Sequence, residues 1–228
     1  MDVQDGDPWR DLPECYGKWI TIYQRFNRWS RNGAIERLFA ALQEERIIAV
    51  EVRVLAMDST SVKVHQHATG ALKKRGPQSV GVSRGGRNTK VHVVSDSEST
   101  LVEIHLSPGN EHDAAHGCRS MAALGAVHGR EAAHGPRLRG GFHPLAGRVV
   151  RPDAGRAAQE EPRDPWDYDR QAYKGRNVVE RVFSRMKHYR KAATRYDRLD
   201  ATFLANLQLA LIAIQLKNTS KTTSVNTP

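Results

Sequence analysis

Tyr173, Arg176, Glu180 and Lys187 stand at steps of 3, 4 and 7 residues within YKGRNVVERVFSRMK. On a helix turning about 100° per residue they fall within roughly 60° of one another, with Glu180 near the middle of the stripe. Val178, Val179, Val182, Phe183 and Met186 occupy an adjoining arc wide enough to face a core, and Arg181, Arg185 and His188 lie on the opposite side. The segment therefore predicts a helix with one apolar face, one basic face and a carboxylate on the seam. Phosphoryl transfer on DNA would use such a helix: the buried face fixes the backbone, the carboxylate holds a divalent cation, and Arg, Lys and Tyr grip phosphates. The competing reading is an ordinary surface helix on which Glu180 pairs with Arg176 or Arg181.

The elements that would position this helix follow from the rest of the chain. At 228 residues there is room for one full domain with a sizeable core and a small extra module. Residues 9–45 place Trp19, Ile22, Tyr23, Phe26 and Trp29 at steps of 3 and 4, a first amphipathic helix. Ile35, Leu38, Phe39 and Leu42 mark a second after the break at Asn32-Gly33. The pair reads either as a helix-turn-helix-like DNA-binding unit or as helices packing on the main domain, and packing is favoured because no recognition helix is visible. From Glu51 the period becomes two: Val52, Val54 and Ala56 run into Met57-Asp58-Ser59-Thr60, Val62 and Val64 follow, and Lys90 to Ser95 and Leu101 to Leu106 form later strands. Adjacent strands followed by helices open an α/β domain. Asp58 would be an acid held at the end of its first strand and aimed at solvent, although an isolated strand-end Asp also serves turn amides.

No acid occurs between Asp58 and Asp96, while Lys63, Lys73, Lys74, Arg75, Arg84, Arg87 and Lys90 do, among many glycines. This reads as a mobile basic loop contacting DNA phosphates beside the acids, rather than a nucleotide-cradling loop, since no Gly-Lys-Ser/Thr follows Gly85-Gly86. His65 and His67 share a strand face without a third ligand at a supporting spacing and are read as lining the groove or packing. Tyr189-Arg190-Lys191 and Arg195-Tyr196-Asp197-Arg198 extend the basic, aromatic-dotted surface. Leu199 to Leu216 predicts a closing apolar helix, too short and too often interrupted by Asn and Gln to span a bilayer, followed by a polar tail over 218–228. A net charge of +10 points to a polyanionic partner. Two cysteines, Cys15 and Cys118, suit a reducing cytoplasm rather than a disulfide framework, and the acidic, polar start is no signal peptide.

The signature Tyr-x2-Arg-x3-Glu-x6-Lys, together with RNVVERVFSRMKHYRKAATRYDR and MDSTSVKVHQHATGALKKRG…SRGGRNTKVHVVSD, resembles the DDE-class transposases of bacterial insertion sequences, of the IS4/IS5-like superfamily. The resemblance implies a ribonuclease-H-like mixed sheet with flanking helices over residues 49–217, preceded by a helical region over 1–48. It implies Asp58 and Glu180 as catalytic and metal-holding acids, with two Mg²⁺ (or Mn²⁺) ions. It further implies transposon-end and target DNA as substrates, gripped by Lys73, Lys74, Arg75, Arg84, Arg87, Lys90, Tyr173, Arg176, Arg181, Arg185 and Lys187. A homo-oligomer assembled on DNA and a cytoplasmic, nucleoid-associated location go with it. The N-terminus looks shortened relative to such transposases.

One departure bears on activity. The family places a third acid between the Asn110–Asp113 segment and the Tyr173 helix, in a motif like Ala-Asp-Lys/Arg-Gly-Tyr-Asp, and none is present. Residues 126–165 contain no Ser, Thr, Asn, Ile, Lys or Tyr, and Ala, Gly, Arg and Pro make up 25 of the 40, so no strand or helix period is sustained. One explanation is a Gly/Pro-rich disordered insertion. The favoured one is a pair of compensating frame shifts over roughly residues 120–165, with the frame restored by Trp166-Asp-Tyr-Asp169. Gly135 to Phe142, written GGA CCG CGG CTA CGA GGC GGA TTC and read one base later, gives Asp-Arg-Gly-Tyr-Glu-Ala-Asp. Asp113 and Asp153 lack the motif context. The expectation is an impaired enzyme with a strand missing from its sheet, the alternative being a non-catalytic DNA-binding remnant.

Overall fold

The computed structural model describes residues 8–44, 54–72, 75–95, 101–113, 116, 148–150 and 177–225, with the backbone alone at 44, 54–56, 148–150, 177, 178 and 218–225. Tyr173, Arg176, Lys73, Lys74 and Asp153 lie outside the described residues, as does most of the 126–165 segment.

Among the described residues, six strands form one mixed sheet. β1 (Val54–Val64) pairs antiparallel with β3 (Gly86–Ser95), whose other edge is shared by β2 (Gly81–Ser83) and β4 (Leu101–Pro108). On the far edge of β1, two short strands run parallel to it. β5 (Arg148–Val150) meets Val54 to Ala56, and β6 (Thr194–Arg195) meets Lys63 and Val64. β5 fills a place next to β1 that the sequence reading left without a strand. Three residues are too few to register as an alternating pattern.

The period-two alternation sorts β1, β3 and β4 into two faces. Val62, Val91, Val93 and Ile104 face the helices and are buried with Val179, Val182, Phe183 and Met186 of α3 (Asn177–Lys187) and with Phe203, Leu207 and Leu211 of α5 (Asp200–Val225). α5 is apolar on most of its circumference because it has neighbours on several sides: α1 (Trp19–Arg31) and α2 (Ala34–Glu44), β4, α3 and the short α4 (Arg190–Ala193). It also continues through Val225, so most of the expected polar tail is helical.

α1 and α2 are joined by Asn32-Gly33. Gly33 adopts a φ of 72°, and the Asn32 side chain accepts the Ala34 amide at 3.1 Å, starting α2. The hairpin packs on α5 through Phe26, Ile35 and Ala205, with Phe39 reaching the main core. The aromatic stripe of α1 is split: Phe26 is buried, whereas Trp19, Tyr23 and Trp29 stand at the rim and remain exposed.

Arg195 corrects the sequence reading most sharply. Expected on a DNA-facing surface, it is 0% exposed. Its guanidinium donates to Asp200 Oδ1 at 2.8 Å, Asp197 O at 2.9 Å and Thr89 Oγ1 at 3.0 Å, and it lies 5.1 Å from the Phe203 ring centroid. Tyr189 is likewise buried, and the Asp197 carboxylate accepts from Asn206 Nδ2 at 2.8 Å. Asp200 also accepts the Ser79 amide at 2.8 Å, which ties the 76–80 turn to the start of α5.

Candidate functional site

Asp58 sits in the interior of β1, not at its end: the strand continues six residues further, to Val64. Among the described residues, β5 pairs with β1 as far as Ala56 and β6 from Lys63 onward, and neither is paired with the Asp58 stretch. The carboxyl end of a parallel strand is where α/β sheets commonly place ligand-binding groups. The Asp58 carboxylate is half-buried, and its Oδ1 accepts the Ser59 amide at 2.7 Å.

Asp58, Thr60 and Val62 rise from the same face of β1, toward α3. That helix forms over Asn177–Lys187 as its period requires, with Val179, Val182, Phe183 and Met186 buried and Glu180 exposed in its first turn. Lys187 is seven residues after Glu180, about 20° from it around the helix. Its ammonium donates to Thr60 Oγ1 at 2.7 Å. The Glu180 helix and the Asp58 face of the sheet are therefore docked against each other, with the Glu180–Lys187 stripe bordering β1.

The expected DNA-contacting cations divide into three groups. Arg75, Arg84, Arg87 and Arg181 are exposed, Arg84 in the turn of the β2–β3 hairpin, and Arg185 is half-buried. Lys187 is exposed and engaged with Thr60. Lys90 belongs to no loop. It lies on β3, half-buried, and donates to Glu111 O at 2.7 Å and Asp113 Oδ1 at 2.9 Å on the other side of the sheet. Burial pushes the Asp113 carboxyl up, but hydrogen bonds from Lys90 and Ser59, with the Lys90 charge, together hold it below the usual carboxylate value. Of the basic stretch between Asp58 and Asp96, residues 81–95 thus form a hairpin where a loop was expected, whereas the described part of 65–80 holds no strand. β1 ends at Val64, so His65 and His67 do not share a strand face. His65 Nδ1 accepts the His67 amide at 3.3 Å in a 3₁₀ turn, and its ring stands 4.9 Å from that of Tyr196.

What the sequence reading missed is a cluster of His92, His105 and His116, whose ligand atoms lie within 4.8 Å of one another. No short spacing announces it, because the register between β3 and β4 brings the first two together.

The chain belongs to the transposase DDE domain family, which it matches over residues 51–216. Residues 2–39 match a second family, described as "Putative transposase of IS4/5 family". An uncharacterized protein of Sinorhizobium fredii, y4sN, is 37% identical over 74 residues, 32% of this chain and 56% of that protein, so the chain spans about half the length of the curated relative it matches. No solved structure matches. Among the described residues, no helix is long and apolar enough to cross a membrane.

Proposed function

We propose that this chain is a DDE-class insertion-sequence transposase of ribonuclease-H-like fold that binds transposon-end DNA, with Asp58 and Glu180 as its metal-holding acids and strand cleavage impaired for want of the family's middle acid. The docking of the Glu180 helix on the Asp58 face, fastened by Lys187 on Thr60, carries this reading. The strand order supports it too: three antiparallel strands followed by a parallel one beside β1 is the order a ribonuclease-H-like sheet requires.

The donor set fits a hard cation. Both acids offer oxygen ligands, one on a strand and one on a helix anchored by its apolar face, and oxygen ligands are what Mg²⁺ or Mn²⁺ takes. Bound there, a pair of such ions would activate a water or 3′-hydroxyl and stabilise the leaving oxygen in an in-line displacement on phosphorus. The chain's own residues supply position and charge. Thr60 holds the Lys187 ammonium at the border of the helix, where it can meet a phosphate. Exposed Arg181 and half-buried Arg185 extend the positive surface along α3. Arg84 and Arg87 present a second cationic edge at the hairpin. Such contacts align a DNA backbone without reading its bases.

An incomplete acid set predicts end binding that survives while cleavage is slow. The decisive assay incubates the chain with transposon-end DNA and Mg²⁺ or Mn²⁺, following binding by mobility shift and cleavage and strand transfer on sequencing gels. Binding without strand cleavage supports the impaired reading. Efficient cleavage abolished by Asp58→Ala would retain the two acids and overturn the impairment. Absence of any end binding would overturn the assignment for this copy.

A further inference from the structure

The sheet face opposite Asp58 holds a second set of ligand-bearing side chains. In the strand register His92 stands opposite Ser59 on β1 and opposite His105 on β4, so both imidazoles rise from one face, whereas Asp58, opposite Val93, rises from the other. His116, beyond the end of β4, completes a triangle. Ring centroids are 4.6 Å apart for His92 and His105, 4.5 Å for His92 and His116, and 5.5 Å for His105 and His116. His92 and His105 are 4% and 7% exposed. A polar sheet face buried to this degree is unusual, since buried imidazoles need partners.

Packing alone would account for the centroid distances, and the oxygen partners orient the rings. Glu111 Oε2 lies 2.7 Å from His116 Nε2, Ser107 Oγ lies 2.8 Å from His92 Nε2, and Glu103 Oε1 lies 3.9 Å from His105 Nδ1. His92 and His116 thus each have an oxygen at hydrogen-bond distance from Nε2, and the Glu103 carboxylate stands within ion-pair range of His105 Nδ1. This is how metal-binding histidines are oriented and how the second nitrogen is left as the donor. Zinc–nitrogen bonds of about 2.1 Å set tetrahedral ligand atoms about 3.4 Å apart. The three nitrogens are within 4.8 Å, so small rotations of the rings close the set.

We propose that His92, His105 and His116 bind one zinc-class transition-metal ion, which clamps the segment after β4 onto the sheet. Three imidazoles and a water make a tetrahedral set for a borderline-soft ion. The site is independent of the Asp58–Glu180 acids in both position and ligand chemistry.

Titration of the chelator-treated full chain with Co²⁺, read by visible d–d absorption, and with Zn²⁺, read by calorimetry, tests this. The expected result is one equivalent bound with tetrahedral Co²⁺ bands, undisturbed by millimolar Mg²⁺ and unchanged in Asp58→Asn/Glu180→Gln. His116→Gln should abolish the bands, and Glu111→Gln should weaken binding by about 10- to 100-fold. His116 is the least enclosed of the three rings, and the solvent-facing Glu111 variant decides the matter if His116→Gln does not fold. Absence of stoichiometric binding by the wild-type chain, or binding that is unaltered in Glu111→Gln and His116→Gln, overturns the proposal.

Discussion

The ammonium of Lys187 donates to the hydroxyl of Thr60 at 2.7 Å, joining residues 127 positions apart in the chain. Thr60 shares the Asp58 face of β1, and Lys187 shares the Glu180 face of α3. The bond lies where the helix stripe borders the strand. Neither partner is deeply buried, so its contribution to stability is small beside the apolar packing of the helix on the sheet.

Thr60→Val, Lys187→Met and the double variant make a thermodynamic cycle for that bond. Each single change is expected to lower stability by about 1 kcal/mol or less, as for a hydrogen bond at the surface. The coupling energy should be about 0.5 kcal/mol, because the partners interact directly. Urea denaturation measures it. Strictly additive single effects would mean that the two elements are aligned by the apolar packing of Val182 and Met186 on Val62 alone.

Arg195 gives a prediction of opposite scale. Fully buried, it bridges Asp200, Asp197 O and Thr89, so Arg195→Met takes the charged donor from the Asp200 carboxylate, which keeps only those of Ser79, and a donor from Asp197 O and Thr89. Removal of one partner from a buried ion pair costs about 3–5 kcal/mol. The exposed Arg84→Met should stay within about 0.5 kcal/mol of wild type. Denaturation curves for the two variants separate a core arginine from a surface one. If Arg195→Met kept wild-type stability and lost only DNA affinity, the buried assignment would be wrong.

Asp197 makes stability depend on pH in a definite direction. Burial pushes its carboxyl above the usual value, against the opposing hydrogen bond from Asn206 and the charges of Lys191 and Arg195. Between the unfolded value and the raised folded value the native chain holds the extra proton. The contribution of this group is therefore most favourable at low pH and declines as pH rises through the folded pKa. Asp197→Asn removes that decline. Stability compared between mildly acidic and neutral pH should fall more steeply in wild type than in the variant, and identical slopes would count against the shift.

The pattern of success in the sequence reading follows from which signals are local. α3 was legible because five apolar residues repeat at the helical period, and β1, β3 and β4 because each is long enough to alternate. β5 is three residues long and had no period to show. Arg195 lies among Tyr189, Arg190, Lys191 and Arg198, a run whose composition reads as surface. Only the convergence of Ser79 and Thr89 from distant positions, with Asp200 nearby, makes it core. Lys90 was grouped with a basic loop for the same reason, although the alternation of Val91 and Val93 beside it already placed it on a strand. His92 and His105 are 13 residues apart and meet through antiparallel register, which no motif spacing encodes.

The hairpin arginines supply the test of how the chain would grip a polyanion. Arg84 and Arg87 flank the tight Gly85-Gly86 turn, where Gly86 adopts a φ of 93°, and both arginines are exposed. Contacts of this type release condensed counterions, so the logarithm of affinity falls linearly with the logarithm of salt concentration, by about 0.9 per phosphate neutralised on duplex DNA. Arg84→Gln and Arg87→Gln should each lower the slope by about 1 and weaken transposon-end and unrelated duplexes alike, since phosphate contacts carry no sequence information. Fluorescence anisotropy across a salt series measures both effects. A loss of affinity for end DNA with an unchanged salt slope would place these arginines on base edges instead.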